Sequence, residues 1–284
     1  MSASQPDNQA HVYTIEPPGR WLSMRWTELW KQRGLLYLLA ERHVRVRYKQ
    51  TVLGVLWAVL QPLITTLVFT VFFGNLLGVE QHLAMPGVPY AVFVLSGLLP
   101  WMLFASTING AAASLVGEAQ LMTRVYFPRA VIPLSVMGYT LLDFVVAALV
   151  LAGMMLVMGV SPAPLAWLTP LVVLMIMAAA AGCGLVLAGL TVKYRDLRLV
   201  LPVVMQLWMF LTPVIYPATV VPEGLRWLVA INPMSGLIQL MQRLLLGAPC
   251  AWGDVVISLA TAIAMFLLGF MVFWQIEDSF ADIV

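Results

Sequence analysis

Asp143 is the one ionisable side chain set well inside the long apolar stretches of this chain. A charged group in a membrane segment costs a few kcal/mol, so it marks an ion or proton relay, a substrate pathway, or a polar clasp between helices. Machines driven by protons or sodium place several such groups in the membrane, and one is too few. Two roles stay open for Asp143: a place on a substrate pathway, or a clasp to a neighbouring helix or to Tyr139 one turn earlier.

Other chemistry is sparse. The three histidines, His11, His43 and His82, are scattered, and Cys183 and Cys250 have neither metal-ligand spacing nor a reason to pair. There is no GxxxxGK[ST] phosphate loop, no HExxH and no GxSxG, so an enzyme is not expected. A membrane-embedded transferase acting on a polyprenyl-linked sugar is the alternative from another class. It needs convergent carboxylates or a metal site near a membrane face, and the acidic residues do not cluster that way. A bundle with no engine of its own must take its energy from a soluble partner on the cytoplasmic side.

The loop from Gly117 to Arg129 is where such a partner could push. Glu118, Thr123, Arg124, Tyr126, Phe127, Pro128 and Arg129 combine a short helical segment with aromatic and Arg anchors expected to be exposed, a composition favoured at interface hot spots. The other reading is that Tyr126 and Phe127 belong to the aromatic belt and the arginines to the topology signal.

Hydrophobic residues make up 62% of the chain and charged ones 10%, with mean hydropathy +0.93, whereas soluble domains carry roughly 25% charged residues. The expected fold is therefore all-α and polytopic. Apolar runs at 52–79, 90–116, 131–160, 165–192, 199–216 and 255–276 predict six spans. Of the 15 Lys and Arg residues, all but Arg226 and Arg243 fall in the first fifty residues or in the loops after spans two and four. By the positive-inside rule both termini are then cytoplasmic.

Residues 1–20 are polar and proline-bearing, without an apolar stretch ahead of a small-residue cleavage site, and are expected to form a flexible cytoplasmic tail. Residues 21–50 hold an amphipathic interface helix, with Leu22, Trp26, Leu29 and Trp30 on one face, and a basic collar containing Arg42, Arg45 and Arg47. Val44 to Lys49 alternates with period two, yet the helical spacing of Leu35, Leu38, Leu39 and Arg42 favours a continued helix. Residues 51–277 form the membrane domain, and 278–284 a cytoplasmic tail.

Within that domain, 217–252 contains two apolar stretches divided by Asn232-Pro233, each too short to cross. They predict two re-entrant helices over the outer end of a pathway, carrying Trp227, Asn232, Pro233 and Met234. An amphipathic hairpin on the outer surface is the alternative. Gly182, Gly184 and Gly189, with Ala178 to Ala181, mark span four as a close-packing helix.

Five segments, in order and at compatible spacing, resemble the membrane subunit of polysaccharide-exporting type-2 ABC transporters. They are Arg42 to Pro62, Ser96 to Trp101, Thr123 to Arg129 (TRVYFPR), Val192 to Asp196 (VKYRD) and Asn232-Pro233-Met234. The resemblance implies a homodimer in the bacterial inner membrane that binds two copies of a separate ATPase. That partner holds ATP and magnesium, this chain holds no cofactor, and no nucleic acid is involved. It also implies that TRVYFPR is a coupling helix, with Lys193, Tyr194, Arg195 and Asp196 in a second cytoplasmic loop. Spans one and five would line a channel for a polysaccharide still on its lipid carrier. Sugar C-H faces stack on aromatic rings, so Trp57, Phe69, Phe72, Phe73, Trp208, Phe210 and Tyr216 are channel candidates alongside Asp143, with Trp101 less certain. A type-2 exporter of drugs or lipids is the alternative within transport.

Overall fold

In a bilayer a chain must satisfy its own backbone hydrogen bonds, which leaves helices and closed barrels. The computed structural model describes residues 26–49, 54–83, 85–124 and 127–279, and every regular element among them is helical. The basic segment is helix: α1 (Trp26–Lys31) runs almost unbroken into α2 (Arg33–Lys49), so Val44 to Lys49 is not a strand. Residues 1–25, which carry the expected tail, lie outside the described residues.

The first span is α3 (Gly54–Phe69), continued by a π-helical segment, Thr70–Leu76. Then come α4 (Tyr90–Gly117), the short α5 (Ala119–Arg124), α6 (Val131–Ser135), α7 (Met137–Val157) and α8 (Thr169–Lys193). The chain closes with α9 (Leu197–Leu211), α10 (Arg226–Ile231), α11 (Pro233–Leu246) and α12 (Trp252–Ser279). Among the described residues, five helical segments are long and apolar enough to cross a membrane. The fifth apolar stretch in chain order is not among them, because α9 stops at Leu211 where Thr212 turns to extended backbone. Its 15 residues span about 22 Å, short of a hydrocarbon core of about 30 Å.

The centre of the bundle is α4, where 78% of the residues in the most apolar stretch are buried, against 17% in that of the first span. Small residues bring α8 and α12 into backbone contact: a Cβ at Gly182 would collide with the Met265 carbonyl, and one at Gly269 with the Gly182 carbonyl.

The 217–252 region folds as two short helices, and α11 lies among α4, α8 and α12 rather than on an outer surface. Asn232 caps it, accepting the Met234 N–H at 3.1 Å, while Pro233 takes the first helical position. Gly247 ends it in the left-handed region, at φ 74°. Along α10, by contrast, Trp227 and Ile231 are exposed.

Candidate functional site

Three neutral amides interrupt the apolar faces of the bundle: Gln61 on α3, Asn109 on α4 and Gln206 on α9. They meet at one cavity of about 780 Å³, bounded also by α7 and the end of α2. Trp57, Trp101 and Phe144 supply aromatic wall, and Thr65, Ser106 and Thr140 supply hydroxyls.

Asp143 and Arg47 close one part of this wall together. Arg47 Nη2 lies 2.7 Å from Asp143 Oδ2, and the Tyr48 hydroxyl donates to the other carboxylate oxygen. The Arg47 guanidinium rests over the Tyr139 ring, 4.8 Å from its centre. Burial, then the bond to Asp143, pushes the Tyr48 hydroxyl well above its usual pKa. Asp143 is thus both a clasp and a cavity residue. Its partner is the interface helix α2, and Tyr139 serves it at one remove, through Arg47.

A second joint holds α2 one turn earlier. Arg42 Nη1 donates to Glu118 Oε2 at 3.0 Å, and His43 Nε2 lies 3.8 Å from Glu118 Oε1. His43 Nδ1 is 3.1 Å from the Ser135 hydroxyl of α6. Burial holds the His43 pKa down, against the upward pull of Glu118. One rigid helix therefore carries two polar joints, at 42–43 to the turn after α4 and at 47–48 to α7.

Residues 34–246 match the profile of the ABC-2 type transporter family of membrane proteins. The chain belongs to that family. It is similar to the O-antigen export system permease protein RfbA of Myxococcus xanthus, 34% identical over 76% of this chain and 82% of the relative. An O-antigen export system permease protein RfbA of Klebsiella pneumoniae is 28% identical over 88% of this chain and 95% of its own length. The polysialic acid transport protein KpsM of Escherichia coli is 25% identical over 75% of this chain and 81% of its own.

In this ABC-2 chain, of the residues expected on a channel, Trp57 and Asp143 line the cavity, as does Trp101. The other six do not. Phe69 is buried with its ring edge-on to Phe73 at 5.7 Å, and Trp208 is edge-on to Trp101 at 6.1 Å and to Phe104 at 5.4 Å. Tyr216 donates its hydroxyl to the Phe210 carbonyl at 3.0 Å, while Phe72 and Phe210 are exposed on the outer faces of the first span and α9. Aromatic identity alone does not say which face of a helix a ring occupies; the amides would have been the better sign, since they are poorly tolerated against lipid.

In the loop after α4, Tyr126 and the side chains of Thr123 and Arg124 lie outside the described residues. Phe127 is not an exposed anchor: it is 6% exposed, packed in a core with Leu39, Ile132 and Phe270, because an aromatic ring at a helix junction gains more by burial. Pro128 is half-buried, and the Arg129 N–H donates to Glu277 Oε1 of α12 at 2.7 Å. Glu118 turns back to α2 rather than outward. Arg45 pairs with Glu41 along the α2 surface at 2.5 Å.

The loop between α8 and α9 is open. Lys193, Tyr194, Arg195 and Asp196 are all exposed, with Lys193 Nζ 5.5 Å from the centre of the Tyr194 ring. At the other end, Asn232 Nδ2 donates to Thr212 Oγ1 at 2.7 Å, and the Ser258 hydroxyl donates to the Asn232 carbonyl at 3.0 Å. Asn232 therefore joins the end of α9, the start of α11 and α12, while Met234 is fully buried beside it. Nothing in the sequence pattern named Tyr48, Thr212 or Ser258 as partners. Among the described residues no His, Cys, Asp and Glu side chains group as a metal site.

Proposed function

We propose that two copies of this chain form the membrane half of an ATP-driven exporter that moves a polysaccharide, still on its lipid carrier, across the bacterial inner membrane. The carrying observation is the cavity lined by amides, hydroxyls and aromatic rings, flanked by α3 and α9. Amides and hydroxyls exchange hydrogen bonds with sugar hydroxyls, and indole faces stack on pyranose C-H faces. None of these groups makes a deep well, so a chain can slide.

The outer faces of α3 and α9 expose Leu67, Phe72, Leu207 and Phe210, among others. A second copy against these faces would extend the cavity into a channel, and the two relatives named for O-antigen export support glycan as the cargo. In this reading both termini face the cytoplasm, α9 with the residues after it completes a sixth span, and α10 and α11 cover the outer end. Each copy binds one ATPase subunit through α5 and the loop to Arg129, with the exposed loop 193–196 beside it. Motion there reaches Glu118, passes along α2, and arrives at Asp143 on the cavity wall.

The test is reconstitution. Co-purified with its ATPase in vesicles, the chain should deliver lipid-linked glycan to the far side only with hydrolysable ATP. Steady delivery by the chain alone, or none with the ATPase present, overturns the proposal.

A further inference from the structure

We infer that the Arg47 and Asp143 pair sets this cavity for an uncharged stretch of glycan and against an acidic one, an inference that rests on the export reading above. Among the described residues lining the cavity, these two are the only ionisable ones. Each is spent on the other across 2.7 Å, and what remains of each is also engaged. The second oxygen of Asp143 takes the Tyr48 hydroxyl, and the Arg47 guanidinium sits over the Tyr139 ring. The wall therefore has no net charge and offers a passing anion no uncommitted cation.

The neutral polar groups discriminate in the same direction. Asn109 donates its Nδ2 to the Ala105 carbonyl at 2.9 Å, which fixes the orientation of the amide, and its Oδ1 has no hydrogen-bond partner. A buried acceptor without a donor is costly. The cavity's exposed amides, Gln61 and Gln206, exchange hydrogen bonds in both directions with a sugar hydroxyl; an ionised carboxylate, sulfate or phosphate only accepts. A glycan carboxylate entering here would lose water, meet an acceptor, and find the nearest guanidinium already paired.

The pair is the specificity determinant because it can be unbalanced either way. Asp143→Asn leaves Arg47 as a net positive charge on the wall, Arg47→Gln leaves Asp143 as a net negative one, and the double variant is neutral again. A role in holding α2 alone would not give opposite signs for the two single variants and a return in the double.

The experiment uses the full chain with its ATPase partner in zwitterionic nanodiscs. Labelled maltoheptaose and an oligogalacturonate of equal length serve as probes, and binding is read by fluorescence anisotropy at low and at physiological ionic strength. Wild type is expected to bind the neutral oligomer with little salt dependence, and the acidic one about tenfold more weakly or worse. Asp143→Asn should narrow that gap, Arg47→Gln widen it, and the double variant restore the wild-type ratio. Trp57→Ala combined with Gln206→Ala, which removes an indole and an amide from the wall, should weaken binding of the neutral oligomer about tenfold.

Equal or tighter binding of the acidic oligomer by wild type overturns the inference and leaves the export reading standing. Neutral binding left unchanged by Trp57→Ala and Gln206→Ala together places the sugar elsewhere and overturns it too. If neither oligomer binds, the inference falls, while the export reading, tested by ATP-dependent delivery, stands. The wild-type ratio is decisive even where a single variant does not fold.

Discussion

Glu118, at the end of α4, accepts a hydrogen bond from Arg42 of α2 at 3.0 Å, although 76 positions separate them in the chain. The guanidinium side is 54% exposed, so the pair adds only about 0.5 kcal/mol to global stability. Its weight lies in connection, since it ties the segment leading into α5 to the helix that holds Asp143. Glu118→Ala should leave the assembled complex hydrolysing ATP at near its usual rate while glycan delivered per ATP falls several-fold. Paired measurement of phosphate release and export checks this; an unchanged ratio means the joint transmits nothing.

Asn232 makes three connections, and truncation breaks two of them at once. Asn232→Ala removes the α11 cap and the bond to Thr212 Oγ1, at a cost of about 1–2 kcal/mol. Thermal unfolding in detergent should show a lower Tm, with Thr212→Val costing less. The double variant should cost less than the two single effects added, because both remove the same bond.

His43 makes the α2 joint sensitive to acid. Its folded pKa lies below the ordinary 6.5, chiefly through burial. A group shifted this way contributes stability that is fully present above the unfolded pKa and is lost as pH falls through the folded one. Protection factors along α2, with the intrinsic pH dependence of amide exchange divided out, should therefore hold level above pH 6.5 and fall progressively as the pH drops below it. His43→Gln should flatten that dependence, and an equally steep profile in the variant would assign it to other groups.

Much of the helical plan was legible because period and length declare themselves locally: α4, α8, α11 and α12 begin and end within a few residues of their apolar runs. What stayed hidden depends on long-range partners. Phe127 read as an exposed anchor because its neighbours are cytoplasmic in composition, yet it is covered by α2 and α12 residues remote in sequence as well as by nearby α6. Glu118 carried no mark that its partner would be Arg42, nor Asp143 that Arg47 and Tyr48 would reach it from another element. Trp208 and Trp57 look alike in sequence, and only the packing sends one into an aromatic cluster and the other to the cavity.

The crossing of α8 and α12 admits no side chain at Gly182. Gly182→Val must push α12 away from the Met265 carbonyl, which overpacks the interface by about 3 kcal/mol or more. Yield of monodisperse protein should collapse, whereas Gly153→Ala, at a glycine with open space around it, should be neutral or slightly favourable. Wild-type yield from Gly182→Val would show that the two helices are not in backbone contact.

If glycan passes along the cavity between α3 and α9 under power supplied by the partner, a block placed on that wall stops it. Gln206→Cys, in a background with Cys183 and Cys250 replaced, puts one thiol on the cavity wall. Labelling it with a bulky maleimide in the reconstituted complex should stop ATP-dependent glycan delivery while ATP hydrolysis continues. Undiminished delivery with the thiol fully labelled would contradict the account.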